Sequence, residues 1–479
     1  MLLWSVILYW VISVAIGLVA ALKVKNVTDF AAAGHALPMY VVTATVFATW
    51  FGAESVLGAP ASFLKDGLAG VVADPFGSSL CLILVGLFFA KPLYKSKYLT
   101  IGDFYREKYG RTVEVLVTLC IGASYLGWVS AQIMALGLVF HVVSDGEISR
   151  QVGMLIGSGS VLIYTLFGGM WAVAVTDLLQ MTIIIIGMLF IGHEISGMSG
   201  GVSHVVHHAY AAGMFNFFPQ ANTKDIIGFV SALCTMMLGS IPQQDVFQRV
   251  TSSKTVQIAQ RAAVLGGILY FMFSFVPMFL AYSANLIELE NVQLELQSDP
   301  QLILPHLILH HTPIFVQIIF FGALLSAIKS CASATLLAPS VSFSENIIKG
   351  FFRELTDAQY LLVMRTTTLV FSGVVTILAL NSSLSIFKMV ENAYRVTLVA
   401  AFVPLVCGIY WSKAKPFGAL LSIVMGLIAW LLCEAVSPEA MIPPQMVGLF
   451  FSAIGMVAGS LFVPRSILQS QNTSTESTF

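Results

Sequence analysis

The sequence predicts an all-α integral membrane protein of about thirteen transmembrane helices, with a core of two five-helix repeats in inverted topology. Three observations carry that expectation. Of 479 residues, 57% are hydrophobic and only 10% charged, against about 25% charged in a soluble domain. Apolar runs of spanning length follow one another along almost the whole chain. Two of them, the second and the seventh, are interrupted in mid-run by small and polar residues, as repeats that each open on a discontinuous helix require.

The runs cover residues 2–22, 38–64, 69–92, 112–143, 150–168, 171–196, 225–249, 256–287, 313–347, 358–380, 384–411, 416–435 and 444–463. Each is near the ~20 residues that cross a hydrocarbon core. The first, Leu2 to Leu22, has neither a basic lead-in nor a small-residue cleavage site, and reads as a retained helix. Residues 1–30 are then a peripheral helix, 38–196 the first repeat and 225–411 the second. Residues 412–465 hold two more peripheral helices, and the polar stretch 466–479 is a disordered cytoplasmic tail.

The joints carry their basic residues in alternation. Lys23, Lys25, Lys91, Lys95, Lys97, Arg106, Lys108 and Arg111 share one side with Arg249, Lys254, Arg261, Lys349, Arg353, Lys413, Lys415 and Arg465. The other side receives Lys65, Arg150, Lys224 and the acidic stretch from Glu288 to Glu295. Positively charged joints stay in the cytoplasm, so the N-terminus is expected outside and the C-terminus inside a cell membrane.

Two outer joints, 197–224 and 288–312, are long enough for interfacial helices, the second amphipathic through Leu302, Leu304, Leu307 and Ile308. They hold His204, His207, His208, His306, His310 and His311, which read as wet-interface residues, a metal or pH-sensing site being the alternative. The six cysteines lie in apolar stretches without metal-ligand spacing and read as buried thiols. A net charge of −1 leaves no basic excess for nucleic acid. The expected partners are the bilayer and a small-molecule solute, and the sequence names no protein partner.

The first interruption, Thr43-Ala-Thr-Val-Phe-Ala-Thr-Trp-Phe-Gly-Ala-Glu54, sets a carboxylate among small residues inside the second run. An acid there is disfavoured by roughly 2.5–3.5 kcal/mol or more, which marks Glu54 as functional. The second interruption places Gly239 and Pro242 ahead of Gln243, Gln244 and Asp245. Proline frees a backbone carbonyl and breaks the helix. Paired broken helices imply a transporter working by alternating access.

Three windows resemble a known family. Gly168-Gly-Met-Trp-Ala-Val-Ala-Val-Thr-Asp-Leu-Leu-Gln180 is similar to the signature of the sodium:solute symporter family, and Ala327-Ile-Lys-Ser-Cys-Ala-Ser-Ala334, leading into Ser344-Glu-Asn-Ile-Ile-Lys349, to its sodium-site helix. Phe88-Phe-Ala-Lys-Pro92 and Ile241-Pro-Gln-Gln-Asp-Val-Phe-Gln-Arg-Val250 further resemble its high-affinity choline transporter branch. The resemblance implies a LeuT-type 5+5 core and sodium-driven import of a small polar or cationic solute.

Carried over by position, the principal Na+ site would use the carbonyls of Ala48, Phe51 and Ala327 with the side chains of Ser330 and Cys331. Cys331 departs from the family, because a thiol is a poor ligand for a hard ion. A second Na+ site would use Asp177, Ser330 and Ser333. Lys329 departs further, standing where the family has an apolar residue. It must pair with Asp177 or Glu54, put its ammonium in the sodium position, or face a water-filled cavity. The second option would make the transporter proton-coupled or uncoupled.

For the substrate, Trp50 and Trp128 stand at two positions of the choline branch's aromatic cage, while Ser78 and Gln243 replace rings at two others. Glu54, Asp74 and Asp245 add carboxylates that favour a cationic or zwitterionic amine, although Gln243-Gln244-Asp245 would equally suit an amino acid or a small polar metabolite. Lys388, Glu391 and Arg395 share one helical face at i, i+3 and i+7, read as an inner-gate network in which Glu391 satisfies both cations. A transporter-fold sensor is the alternative function, and so short a segment after the last helix would oblige it to signal through a partner. An enzyme is not expected, since the sequence shows no nucleophile–base pair, metal tetrad or phosphate loop.

Overall fold

Helix is what this composition permits in lipid, where each backbone polar group must be satisfied within the chain. The structure is a computed structural model and describes residues 1–352, 354–438 and 440–462. Arg353, Arg465 and the expected tail 466–479 lie outside the described residues.

The first helix, α1 (Leu2–Ala20), buries a single stripe of Leu2, Val6, Trp10, Ser13, Gly17 and Ala20. The second run is discontinuous: α2 (Met39–Trp50) stops, a π-helical turn covers Glu54–Gly58, and α3 (Ala59–Asp66) completes the passage. The third run includes α4 (Ser78–Leu84). A short amphipathic helix, α5 (Ile101–Tyr109), is closed at its start by a capping box between Thr100 and Asp103. Two long helices follow, α6 (Arg111–Val143) and α7 (Arg150–Met198).

Ten helical stretches among the described residues are long and apolar enough to span, and a pair bent by 46° makes an eleventh. Two of the ten are too long for one pass: Glu54–Ser96 has 43 residues and Arg150–Met198 has 49. Each contains a break at glycine, Gly67 (φ 63°) in the first and Gly169 (φ 47°) in the second. At Gly169 a Cβ would meet the Phe30 carbonyl oxygen at 2.4 Å, so no other residue fits. Divided at these breaks, the stretches give the thirteen passes of the sequence pattern.

Beyond α7, the joint 197–224 carries α8 (Val202–Ala211). The bent pair is α9 (Thr223–Gly239) and α10 (Gln244–Ser252), followed by α11 (Val256–Ile287). The joint 288–312 folds into α12 (Leu289–Ser298) and α13 (Ile303–His311), with Leu304, Leu307 and Ile308 buried as its amphipathic pattern predicts. The central helix is α14 (Ile314–Asn346), buried all round from Phe320 to Val341, as expected of a helix apolar on every face. The last four are α15 (Asp357–Asn381), α16 (Ile386–Thr397, continuing to Tyr410), α17 (Pro416–Val436) and α18 (Pro444–Leu461).

The joints gather at two opposite ends. At one end Leu37 pairs with Ser253, Thr100 donates to Asn346 Oδ1 at 2.8 Å, and the Tyr94 hydroxyl donates to the Lys254 carbonyl at 3.1 Å. At the other end the Leu68 amide donates to Met214 O at 2.8 Å, and Arg150 pairs with Asp299 at 2.8 Å. Phe387 packs there too, against the cluster that holds Phe63, Val205 and Tyr282. Arg249 belongs to neither end. It is buried, which removes it from the loop charges among which the sequence pattern placed it.

Candidate functional site

The site begins with lost helical hydrogen bonds. At the end of α2, Phe51 leaves helical geometry (φ −86°, ψ 75°). The Gly52 amide turns to the Trp50 carbonyl (3.1 Å), and the Ala53 amide donates to Gln132 Oε1 of α6 (3.0 Å). The carbonyls of Ala48 and Thr49 therefore lose their i+4 partners and are left free to bind something else. A Cβ on Gly52 would lie 2.9 Å from both Cβ and Sγ of Cys331, so the break is pressed against α14. The second break matches it. Gly239 lets α9 approach α16, where a Cβ would meet Tyr394 O at 2.5 Å, and Thr397 Oγ1 donates to the Gly239 carbonyl at 2.7 Å.

Glu54 sits just past the first break and is fully buried with partners on two other helices. Trp128 Nε1 donates to its Oε1 (3.2 Å), Gln132 Nε2 donates to its Oε2 (2.7 Å), and the Cys331 thiol faces it at 3.9 Å. Beside it four rings meet. Trp50 lies edge-on to Trp128 (centroids 5.7 Å) and stacks on Tyr394 (6.0 Å, 15°), Trp128 meets Tyr394 edge-on (5.4 Å), and Tyr125 stacks on Trp128 (5.9 Å). The Tyr394 hydroxyl is buried without a hydrogen-bond partner among the described residues. Tyr125 and Tyr394 were not singled out in the sequence. Tyr394 reaches the rings only because Gly239 and Thr397 draw α16 inward, a contact that no local pattern announces.

The other expected substrate residues lie around this cluster. Asp245 accepts from the Tyr125 hydroxyl, which in turn accepts the Asp245 amide hydrogen at 2.9 Å. Gln243 donates to Ser124 Oγ (3.0 Å) and approaches Thr397 Oγ1 (3.4 Å). Asp74 accepts from Tyr270, whose hydroxyl also meets Ser55 Oγ at 2.8 Å. Ser78 is buried one turn beyond Asp74, with no hydrogen-bond partner among the described residues. Arg249 donates to the Asp245 carbonyl (3.0 Å) and to Thr49 Oγ1 (2.7 Å), joining the two broken helices.

The expected cation residues form a second group along α14. Ser330 donates to Asp177 Oδ1, and the other Asp177 oxygen has no partner among the described residues. Ser333 Oγ donates to Ser330 O at 3.0 Å. Free carbonyls, a hydroxyl and a carboxylate oxygen fit a hard cation, whereas the Cys331 thiol is bound to Glu54 and does not. Ala48, Phe51 and Ala327 are fully buried.

Two expectations are corrected. Lys329 pairs with neither Asp177 nor Glu54. It is fully buried and turns to α1, donating to Ser13 Oγ at 2.6 Å between the rings of Trp10 (5.2 Å) and Tyr164 (4.8 Å). The face of Lys388, Glu391 and Arg395 does not form a network in which Glu391 satisfies both cations. It starts α16 beside Phe387, at the end that holds α8. Lys388 is exposed, and Arg395 divides itself between Glu391 (3.9 Å) and Glu434 of α17 (3.5 Å), because α17 brings a second carboxylate within reach.

A model of the sodium:solute symporter family matches residues 30–426. The high affinity choline transporter 1 of Homo sapiens is 28% identical over 449 residues, 88% of this chain and 75% of that protein. The osmoregulated proline transporter of Bacillus subtilis (strain 168) is 22% identical over 495 residues, 96% of this chain and 94% of that one. Among solved structures, a Na+-coupled sialic acid symporter shares the fold with a TM-score of 0.82 at 19% identity, covering 97% and 98% of the two chains.

Proposed function

Since this chain belongs to the sodium:solute symporter family, and so is a multi-pass membrane transporter and not an enzyme, we propose that its solute is a small organic cation. Trp50, Trp128 and Tyr394 form the recognition surface, with Glu54 as counter-charge. The observation that carries this reading is the convergence of three rings and one buried carboxylate at the break of α2. Ring faces attract a substituted ammonium through their quadrupole, by about 2 kcal/mol or more once water is excluded. Glu54 supplies the opposite charge: Lys329 is turned to α1, and Arg249 bonds to the Asp245 carbonyl and Thr49 Oγ1 rather than to the Glu54 carboxylate. The rings touch one another here, so the solute must part them, which suits a cycle that opens to each side in turn. The choline transporters among the relatives support the same chemistry.

Sodium is the coupling ion in this reading. The freed Ala48 carbonyl, Phe51, Ala327 and Ser330 hold the first ion, and Asp177, Ser330 and Ser333 a second. The turned-away lysine favours sodium over replacement by an ammonium, because it leaves those oxygens unclaimed. Residues 38–196 and 225–411 act as the two repeats, each opened by its broken helix. Most exposed basic joints lie at the end where Thr100 meets Asn346, which supports a cytoplasmic placing of that end and an external N-terminus.

The test is ligand-dependent thermal stability, because a ligand of the native state raises its melting temperature by mass action. Quaternary and primary amines, amino acids, sugars and carboxylates are compared in sodium and in potassium. A substituted ammonium should stabilise the protein more in sodium, and W50A or W128A should abolish that shift. Stabilisation by a sugar or carboxylate alone would overturn the cation reading. Binding without sodium-driven uptake into vesicles would point to a sensor.

A further inference from the structure

A second carboxylate lies beside the break of α2, and the recognition of one ammonium leaves it unused. Asp74 stands in the third run, where the backbone departs from helical geometry (φ −136°, ψ 118°) ahead of α4. Its Oδ1 accepts from the Tyr270 hydroxyl of α11, and that hydroxyl meets Oγ of Ser55, the neighbour of Glu54, at 2.8 Å. Tyr270 also packs edge-on against Phe51, the residue at which α2 stops (centroids 6.2 Å). One tyrosine thus ties Asp74 to the break, close enough for the two negative charges to act on each other.

Neither charge is answered from within the chain. Glu54 and Asp74 are each only 2% exposed, and among the described residues no Lys, Arg or His forms an ion pair with either. Asp245 differs, because it opens α10, where the helix dipole favours an anion and Arg249 follows one turn later. Asp74 Oδ2 and Ser78 Oγ are both buried, and neither has a hydrogen-bond partner among the described residues. Interior polar groups are almost always satisfied, so these two call for an occupant. A bare charge inside the membrane calls for a cation.

We propose that the solute is a dication, its first ammonium held by the rings and Glu54 and its second, a primary ammonium, held by Asp74 and Ser78. A primary ammonium has three donors and no acceptor, which suits a site that offers a free carboxylate oxygen and a free hydroxyl oxygen. Hydrogen bonds between charged partners are about twice as strong as neutral ones, so the second anchor discriminates against a solute with one charge. The inference rests on the cation reading given above and extends it from one charge to two.

The experiment compares three probes that share a trimethylammonium head and differ at the end of an alkyl tail, which is a methyl, a hydroxyl or a primary ammonium. Each is tested with butyl, pentyl and hexyl tails. Affinities are read from thermal shifts of the purified full-length protein at constant sodium. In the wild type, an ammonium-tailed probe should bind about tenfold or more tightly than its methyl-tailed counterpart. D74N keeps an acceptor oxygen for Tyr270 and should abolish that advantage while leaving the methyl-tailed probe little changed. Should D74N not fold, the wild-type comparison still decides. Equal affinities for methyl and ammonium tails in the wild type overturn the dication and leave the cation reading intact. So does a hydroxyl tail that gains as much as the ammonium, or an advantage that survives in D74N. If none of the probes binds, both readings fall.

Discussion

Gly52 is the residue on which the site depends most directly. A methyl group there would lie 2.7 Å from Glu54 Oε2 and 2.9 Å from the Cys331 thiol. Gly52→Ala must push α2 off α14, at a cost of roughly 1–3 kcal/mol in overpacking. The expected outcome is a lower melting temperature and loss of both ligand and sodium shifts. Unchanged ligand binding in G52A would mean that the break does not form the site. Glu54→Gln removes the charge and keeps one acceptor oxygen, so one of the two bonds, from Trp128 or from Gln132, is lost; it should bind an organic cation about tenfold or more weakly. At this scale the sequence was partly legible. Trp50, Trp128 and Glu54 stood out because an acid and large rings beside a helix break are conspicuous. Tyr394 and Gln132 did not, because they matter only through contacts with residues far along the chain. Arg249 was misread because a cation next to a run's end looks the same whether it snorkels out or turns inward.

Among the elements, α5 acts as a clamp on the end of α14. Asn346 Nδ2 donates to Asp103 Oδ1 (3.0 Å) and to Glu114 Oε1 (2.9 Å), and Arg111 pairs with Glu114 at 2.9 Å. Burial, and after it the nearby Glu345 carboxylate, push the Asp103 carboxyl up to about 6. A carboxyl raised in the folded state binds its proton before the unfolded chain does. Its contribution to stability is therefore complete below the ordinary value of about 4 and is lost as pH rises through about 6. Melting temperature should fall across that window in the wild type and fall less in D103N. An identical pH profile for the two would remove Asp103 from the clamp. The elements themselves were legible in the apolar runs, because spanning length and backbone satisfaction leave few alternatives. What the runs could not show was how tightly consecutive passes are joined. The turn at Gly169 is so compact that α7 reads as one element across two passes.

For the whole molecule, the two-ended grouping of joints makes sidedness a measurable property. With the N-terminus outside, K224C should react with a membrane-impermeant thiol reagent on intact cells, whereas K349C should react only after permeabilisation. The reverse pattern would invert the topology. At the end that holds α12 and α13, external in the proposed orientation, His306 pairs with Glu295 and His311 with Glu288. The Glu295 hydrogen bond raises the His306 imidazole above its ordinary value. That tie is complete below about 6.5 and weakens as the external pH rises through the raised value. Hydrogen exchange in α12 and α13 should therefore quicken on external alkalinisation, and equal protection at pH 6 and pH 9 would count against it. Only general features of this scale were written in the sequence. Net charge and hydropathy set the environment, while the pairing of distant joints depends on packing.

The bond between Lys329 and Ser13 also fixes what can move. An ammonium sealed between two rings holds α1 to α14 at one rotation and one height, like a key in its slot. The helix at the edge therefore travels with the central one as a single body. A pair of spin labels on α1 and α14 should keep one constant separation throughout turnover, while a pair on α2 and α14 reports the stroke.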